Sequence, residues 1–354
     1  MDRSDDRRPI HFINSRRKRE MKKVLLIALC LVLALATMAV AGKKFPKRDI
    51  TNVVVWGAGG GTDTCNRIIS AEMAKFLGVN INVVNKPGGV AGSMGMSYAY
   101  KRAHDGYTIC GLSESCVTAG VMGGWDMKMD VWYPFIVGGS PDVISVTPSS
   151  PYKTIKDLIE AAKANPKSIK AGAGGAGSIH HLNVLALENG SGAKFNFIPY
   201  KGSAPSQTAA MTGEITVVVT SLAEQQQLIR GGKLRPLGML IPDSFEVAGV
   251  GTIPSAFDAY PSLSKYLPIS QAIGFALPAD APADAKAAVT DAFNKAIASD
   301  KVKTWAKENY YLLSGKSGAE ASAVFSSLES NFAWTLEELK ATKVSPASLG
   351  IPKP

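Results

Sequence analysis

Histidine, cysteine and catalytic motifs are scarce in this 354-residue chain, which has four histidines and four cysteines. Each scarcity removes a class of chemistry. Beyond residue 41 only His104, His180 and His181 remain, and Cys65, Cys110 and Cys116 fall at no zinc-ligand spacing, so no metal site is expected. No G-x-S-x-G elbow occurs and no histidine lies in a nucleophile motif, so no catalytic residue is assigned and the chain is not read as an enzyme. There is no tandem repeat or low-complexity tract. Basic residues outnumber acidic ones 39 to 29, yet they are scattered, which excludes a nucleic-acid footprint.

What is present begins with a leader. "RRKREMKKVLLIALCLVLALATMAVAGKK" sets basic residues before an apolar run from Val24 to Val40, with small residues at Ala39 and Ala41. This is a secretory signal with cleavage expected after Ala41; a span needs about 17 to 25 residues, so the run sits at the low end for an anchor. Cys30 follows Leu29 instead of a small residue, against a lipid anchor. Met21 followed by two lysines makes a signal start of its own, which leaves residues 1–20 open to reading as an over-extended start. Residues 1–41 hold nine Lys/Arg and four Asp/Glu, leaving 30 against 25, a net charge of +5. Export permits one disulfide among three remaining cysteines, but no spacing supports a Cys65–Cys116 bridge, and buried small hydrophobes are the better reading for Cys65 and Cys110.

The rest alternates strand and helix patterns. Val53 to Trp56 reads as a strand, and Cys65, Ile68, Ile69, Met73, Phe76 and Leu77 recur at helical spacing until Gly78. "INVVN", "GSMGMSYAYKRA" and "YTICGLS" continue the rhythm, which restarts beyond "VTPSSPYKT" and runs to "LRPLGML". Such alternation predicts right-handed crossovers on mainly parallel sheets flanked by helices. The long helical patterns from Pro282 to Lys340 have no sheet of their own and return to the first unit. The expected fold is therefore a two-lobed α/β clamshell: lobe 1 from 42–143 and 246–354, lobe 2 from 144–245, with the ligand cleft at the strand carboxyl ends.

Between Trp56 and a helix that begins near Asp63, "GAGGG" presents main-chain N–H groups at the helix's positive end, with Thr62 or Asp63 expected as its cap. An oxyanion suits that place. No lysine with Ser or Thr follows, which excludes a Walker loop; Gly57, Gly59 and Gly61 lack the dinucleotide spacing, and no acid ends the second strand. A second turn, "AGAGGAGSIHHL", again joins strand to helix, with Ser178 as expected cap. Two facing anion nests suit a carboxylate at one or both ends of a ligand. Only one of His180 and His181 is expected in the cleft, since neighbouring helical residues point apart.

"VVVWGAGGGTDTCNR", "VVNKPGGVAGSMGMSYAYKRAHDGYTI", "AGAGGAGSIHHL", "IPYKGSAPSQTAAMTGEI" and "IRGGKLRPLGML" resemble, in order and spacing, the solute receptors of tripartite tricarboxylate transporters, the Bug-type receptors. The resemblance covers essentially the whole chain after Phe45. It implies a monomeric periplasmic clamshell of type II with no cofactor, delivering a small carboxylate to a membrane permease. It also implies binding by the first loop through Trp56, Gly57, Ala58, Gly59, Gly60, Gly61, Thr62 and Asp63. The second loop would supply Gly177, Ser178, Ile179 and His180, with Tyr200, Lys201, Gly202 and Ser203 at the border. Trp56 replaces the family's usual Phe, and Ala176, Ile179 and His180 replace small polar residues. "TSLAEQQQ" departs from the usual Asp-Asn-x-Pro segment, leaving Thr220 and Ser221 as wall residues. The alternative is a carboxylate sensor for a membrane kinase, and further behind it a secreted hydrolase.

Overall fold

The valine run ahead of the first glycine turn forms β1 (Ile50–Val54), whose apolar side chains are fully buried. In the computed structural model, residues 45–266 and 271–354 are described, with Met21 and Lys23. The apolar run, Cys30 and the cleavage site of the leader lie outside the described residues. Residues 1–47 and 48–354 form separate units, and the fold below is that of the second. Among the described residues no helix is long and apolar enough to cross a membrane.

From β1 the chain enters α1 (Gly61–Leu77), which ends where Gly78 turns left-handed at φ 69° and returns its N–H to Ala74 O. Then come β2 (Ile81–Asn85), α2 (Ser93–Tyr100) and β3 (Thr108–Ser113), and β1 pairs parallel with both β2 and β3. Two strands not expected from the pattern follow. They are β4 (Trp132–Gly139), which contains Pro134, and β5 (Asp142–Val146), which begins after Pro141. A Ser140–Pro141 link carries the chain from the first sheet to the second.

The lobe built on the second sheet continues from β5 into α3 (Ile155–Ala164), started by a capping box between Thr154 and Asp157. It continues through β6 (Lys170–Ala173), α4 (Ile179–Ser191), β7 (Asn196–Pro199), α5 (Ser203–Thr212), β8 (Val217–Ser221), α6 (Leu222–Arg230) and β9 (Arg235–Met239). A hairpin of β10 (Phe245–Val247) and β11 (Gly251–Ile253) and the short α7 (Ala256–Ala259) precede β12 (Ile273–Pro278). The chain closes with α8 (Ala283–Ile297), α9 (Asp300–Glu308), β13 (Leu312–Ser317) and α10 (Gly318–Glu338).

The first sheet has the order β13-β4-β12-β3-β1-β2 and the second β7-β6-β8-β5-β9. Both are mixed, which refines the mainly parallel expectation. β12 and β13 pair antiparallel in the first sheet and β5 in the second. Insertion of β12 between β3 and β4 brings the last helices back to the first sheet. There Phe135 stacks on Phe275 with centroids 4.7 Å apart, and Phe293 of α8 meets both edge-on. Ile144, Leu158, Val184, Leu187 and Val217 belong to the core of the second sheet.

A buried polar cluster fixes α1 on its sheet. Asn52 Nδ2 donates to Asn66 Oδ1 at 2.8 Å, and Asn66 Nδ2 donates to Thr62 O and, across the sheet, to Gly274 O at 2.9 Å. Asn66→Ala removes three buried hydrogen bonds, leaving Asn52 Nδ2 with Ser70 Oγ at 3.1 Å, and should cost about 3 kcal/mol, read as a lower urea midpoint with unchanged slope.

Candidate functional site

Each glycine turn leaves the carboxyl end of a strand, enters a helix and opens on the space between the sheets. The first turn starts its helix earlier than expected. Thr64 N–H already bonds Gly60 O at 2.9 Å, so Gly60 is the N-cap of α1 and neither Thr62 nor Asp63 holds that position. Asp63 reaches back from the first turn to accept from Gly59 N–H at 2.9 Å, and Arg67 and Asn85 hold it at 2.9 and 2.8 Å. Burial opposes its ionisation, but these three partners outweigh burial and keep the carboxyl below its ordinary value. Ser178 caps α4 as expected, accepting from His181 N–H at 3.3 Å and from Gly175 N–H at 3.2 Å.

The two helix ends converge on a small cavity of about 20 Å³. Trp56, Gly60, Gly61 and Thr62 line it from the first turn, Ser178 and His180 from the second, and Gly202 and Ser203 from the start of α5. Trp56 is largely buried and spends its indole N–H on Ser113 Oγ at 3.2 Å. Main-chain bonds join the lobes beside the cavity, from Gly57 N–H to Lys201 O at 3.0 Å and from Ala91 N–H to Ala176 O at 3.1 Å.

Each helix end is met by a side chain from the opposite sheet's unit. Glu224 of α6 accepts the Gly61 N–H through Oε1 at 2.6 Å. Ser115, just beyond β3, accepts the Ile179 N–H at 2.9 Å and donates its hydroxyl to Glu114 Oε1 at 2.8 Å. Glu114 also takes the Ala272 N–H at 2.7 Å, and full burial raises its carboxyl pKa despite these bonds.

Among the described residues of this lining, His180 is the one side chain able to take a positive charge. Its Nδ1 lies 2.8 Å from Asp142 Oδ2 and its Nε2 3.5 Å from Glu224 Oε2. Burial works against the imidazolium, but Asp142, Glu224 and Glu114 more than offset it and raise the pKa to about 9. His181 points elsewhere, stacked on Phe197 with centroids 4.1 Å apart, and burial lowers its pKa to about 4.

Other residues named from the sequence lie around the cavity without lining it. Ala58 and Gly59 face solvent, and Lys201 contributes its carbonyl while its side chain is exposed. Gly177 accepts Thr118 Oγ1–H, and the Ile179 side chain is packed in the core with Val55 and Cys116. Tyr200 donates to Glu214 at 2.8 Å, Thr220 accepts from Gln207 at 3.0 Å, and Ser221 is tied to Glu224. Ser113, Glu114, Ser115, Glu224 and Gln271 line the cavity without having been named from the sequence. Two signals for them existed. Ser113 to Ser115 end a strand on the cleft edge, and S-L-A-E at Ser221 to Glu224 is a capping-box spacing, realised here.

Among the described residues no group of three or more His, Cys, Asp or Glu is arranged to hold a metal ion. Cys65, Cys110 and Cys116 are free and buried, and burial pushes the Cys116 thiol up to about 12. None of the three should react with a thiol reagent in the folded chain at neutral pH, and all should react in denaturant, as read by mass spectrometry.

The family described as tripartite tricarboxylate transporter family receptor matches residues 65–311. The UPF0065 protein in the gbd 5′ region of Cupriavidus necator is 32% identical over 218 residues, 60% of this chain and 65% of that protein. A solved structure of a periplasmic transporter is 25% identical and superposes with a TM-score of 0.74 over 85% of this chain and 99% of its own. A protein of R. palustris solved with adipate superposes at 0.72, with 23% identity, over 84% of this chain and 98% of its own. On a match that spans most of its length, the chain belongs to the tripartite tricarboxylate transporter receptor family.

Proposed function

We propose that the protein captures a small organic carboxylate between its lobes in the periplasm and delivers it to the membrane permease of a tripartite tricarboxylate-type transporter. The observation that carries this reading is the convergence of two helix amino ends, one from each lobe, on one polar cavity. Family membership and the adipate complex of a structural neighbour support the ligand class. The leader pattern and the family support the compartment. The lining offers hydroxyls, amides, carboxylates and an imidazole, and its Ser115–Glu114 pair is engaged by the Ile179 and Ala272 N–H groups, which favours binding over turnover.

A cavity of about 20 Å³ has room for roughly one water. An organic acid therefore enters with the lobes parted, and closure then excludes water and strengthens each N–H and O–H contact to the carboxylate. The test is calorimetry and thermal shift on protein refolded from denaturant, over a panel of mono-, di- and tricarboxylic acids. At least one acid should bind saturably and raise the unfolding midpoint by several degrees. A panel without a single binder rejects the reading. For the partner, uptake of the identified acid should vanish when either this gene or the permease genes are deleted.

A further inference from the structure

Glu224 makes the contact that a ligand carboxylate would be expected to make. Its Oε1 takes the Gly61 N–H at 2.6 Å, at the positive end of the 17-residue α1. Its Oε2 accepts both the N–H and the Oγ–H of Ser221 at 2.9 Å, so the side chain is held from both ends. It is 4% exposed. Glu114 lines the same cavity, and among the described residues no Lys or Arg does. The nearby imidazole of His180 is already placed between Asp142 and Glu224.

A ligand with carboxylates at both ends would have to displace Glu224 from Gly61 or lie against it. Displacement gives up a charge-assisted bond, and the alternative brings like charges together in a buried space with no arginine to offset them. The second turn is differently furnished. Ser178 Oγ accepts two main-chain N–H groups, which leaves its own proton to donate, and Ser203 stands beside it at the start of α5.

We propose that Glu224 is the specificity-determining residue of the cleft: by holding the Gly61 amide with its own carboxylate, it directs the receptor to monocarboxylic acids and against dicarboxylic acids of the same skeleton. This rests on the carboxylate-receptor reading above. The single ligand carboxylate meets the Ser178 and Ser203 side, and the other end of the ligand faces Trp56 and Glu224 without a negative charge.

The test uses matched pairs, hexanoate with adipate, butyrate with succinate and benzoate with terephthalate, titrated into the wild type, Glu224→Gln and Glu224→Ala. Gln keeps an acceptor for Ser221 and removes the charge, whereas Ala vacates the amide. In the wild type the monoacid of the binding pair should be preferred at least tenfold, and both variants should shift the ratio toward the diacid by about tenfold or more. A wild type that prefers the diacid, or a ratio unmoved in variants whose circular dichroism and unfolding midpoint match the wild type, overturns the assignment while leaving the receptor reading intact. Variants that fail to fold overturn it as well, since they would make Glu224 a structural residue. If no pair binds here while another acid of the wider panel does, the monoacid assignment falls alone; if nothing binds at all, both readings fall.

Discussion

Gly57→Val should reduce affinity for the captured acid by about 100-fold or more while leaving the fold of each lobe unchanged. A Cβ at Gly57 would stand 2.8 Å from Lys201 O, a main-chain atom of the opposite lobe that has no flexible end to swing away. The next nearest atoms also belong to that segment, Lys201 C and Pro205 Cδ. The obstruction is therefore confined to the closed arrangement, and a valine meets nothing comparable once the lobes part. On the proposed capture by lobe closure, a variant whose closed population falls 100-fold loses apparent affinity by the same factor. Calorimetry with the acid that binds the wild type gives the affinity. The unfolding midpoint of the unliganded variant and its slightly larger radius of gyration by X-ray scattering separate blocked closure from misfolding. Wild-type affinity in Gly57→Val would mean that the Gly57–Lys201 contact takes no part in capture.

The same contact marks how far the sequence alone reaches. Both glycine turns were legible because their chemistry is local: an apolar strand, residues without Cβ and an amphipathic helix follow one another in the chain. Ser178 as a cap and Gly78 as a stop are equally local and stand where expected. The N-cap of α1 was misplaced because threonine and aspartate are strong caps in general, and the extended backbone at Gly60 followed by the Thr64-to-Gly60 bond overrides that preference. β4, β5 and β13 were missed for another reason. β4 and β5 adjoin prolines, and β13 is a half-exposed edge strand, so their pairing is decided by partners far along the chain.

The acidic lining was the least legible part. Glu114 sits at a strand end, where a solvated loop acid would look identical in sequence; the Ala272 N–H, brought in by β12 from 158 residues away, joins the neighbouring Ser115 hydroxyl in making it a buried acceptor. Glu224 had a local signal in its capping box, but that signal explains one carboxylate oxygen and says nothing of the other. The Gly61 bond spans 163 residues and two lobes. Residues whose partners come from distant parts of the chain are invisible to spacing.

His180 should make the protein less stable as pH rises from about 6.5 to 9, by about 3 kcal/mol. Its folded pKa of about 9 lies above the ordinary 6.5, so the folded chain binds the proton more tightly than the unfolded one. The stabilisation is complete below pH 6.5 and is lost as pH climbs through 9. The groups responsible surround the ring: Asp142 at 2.8 Å, Glu224 at 3.5 Å and Glu114 across the cavity. Glu329 and Glu114 also have raised values and weaken the fold as they ionise, so the His180 share is read as a difference. Urea unfolding of wild type and His180→Gln should differ by about 3 kcal/mol at pH 6, because the variant leaves Asp142 buried with Asn183 as its remaining hydrogen-bond partner. At pH 10 the gap should shrink to about 1 kcal/mol, the worth of a neutral hydrogen bond. A gap that stays constant from pH 6 to 10 would mean that His180 is neutral in the folded chain, and that the carboxylates around it share protons among themselves instead.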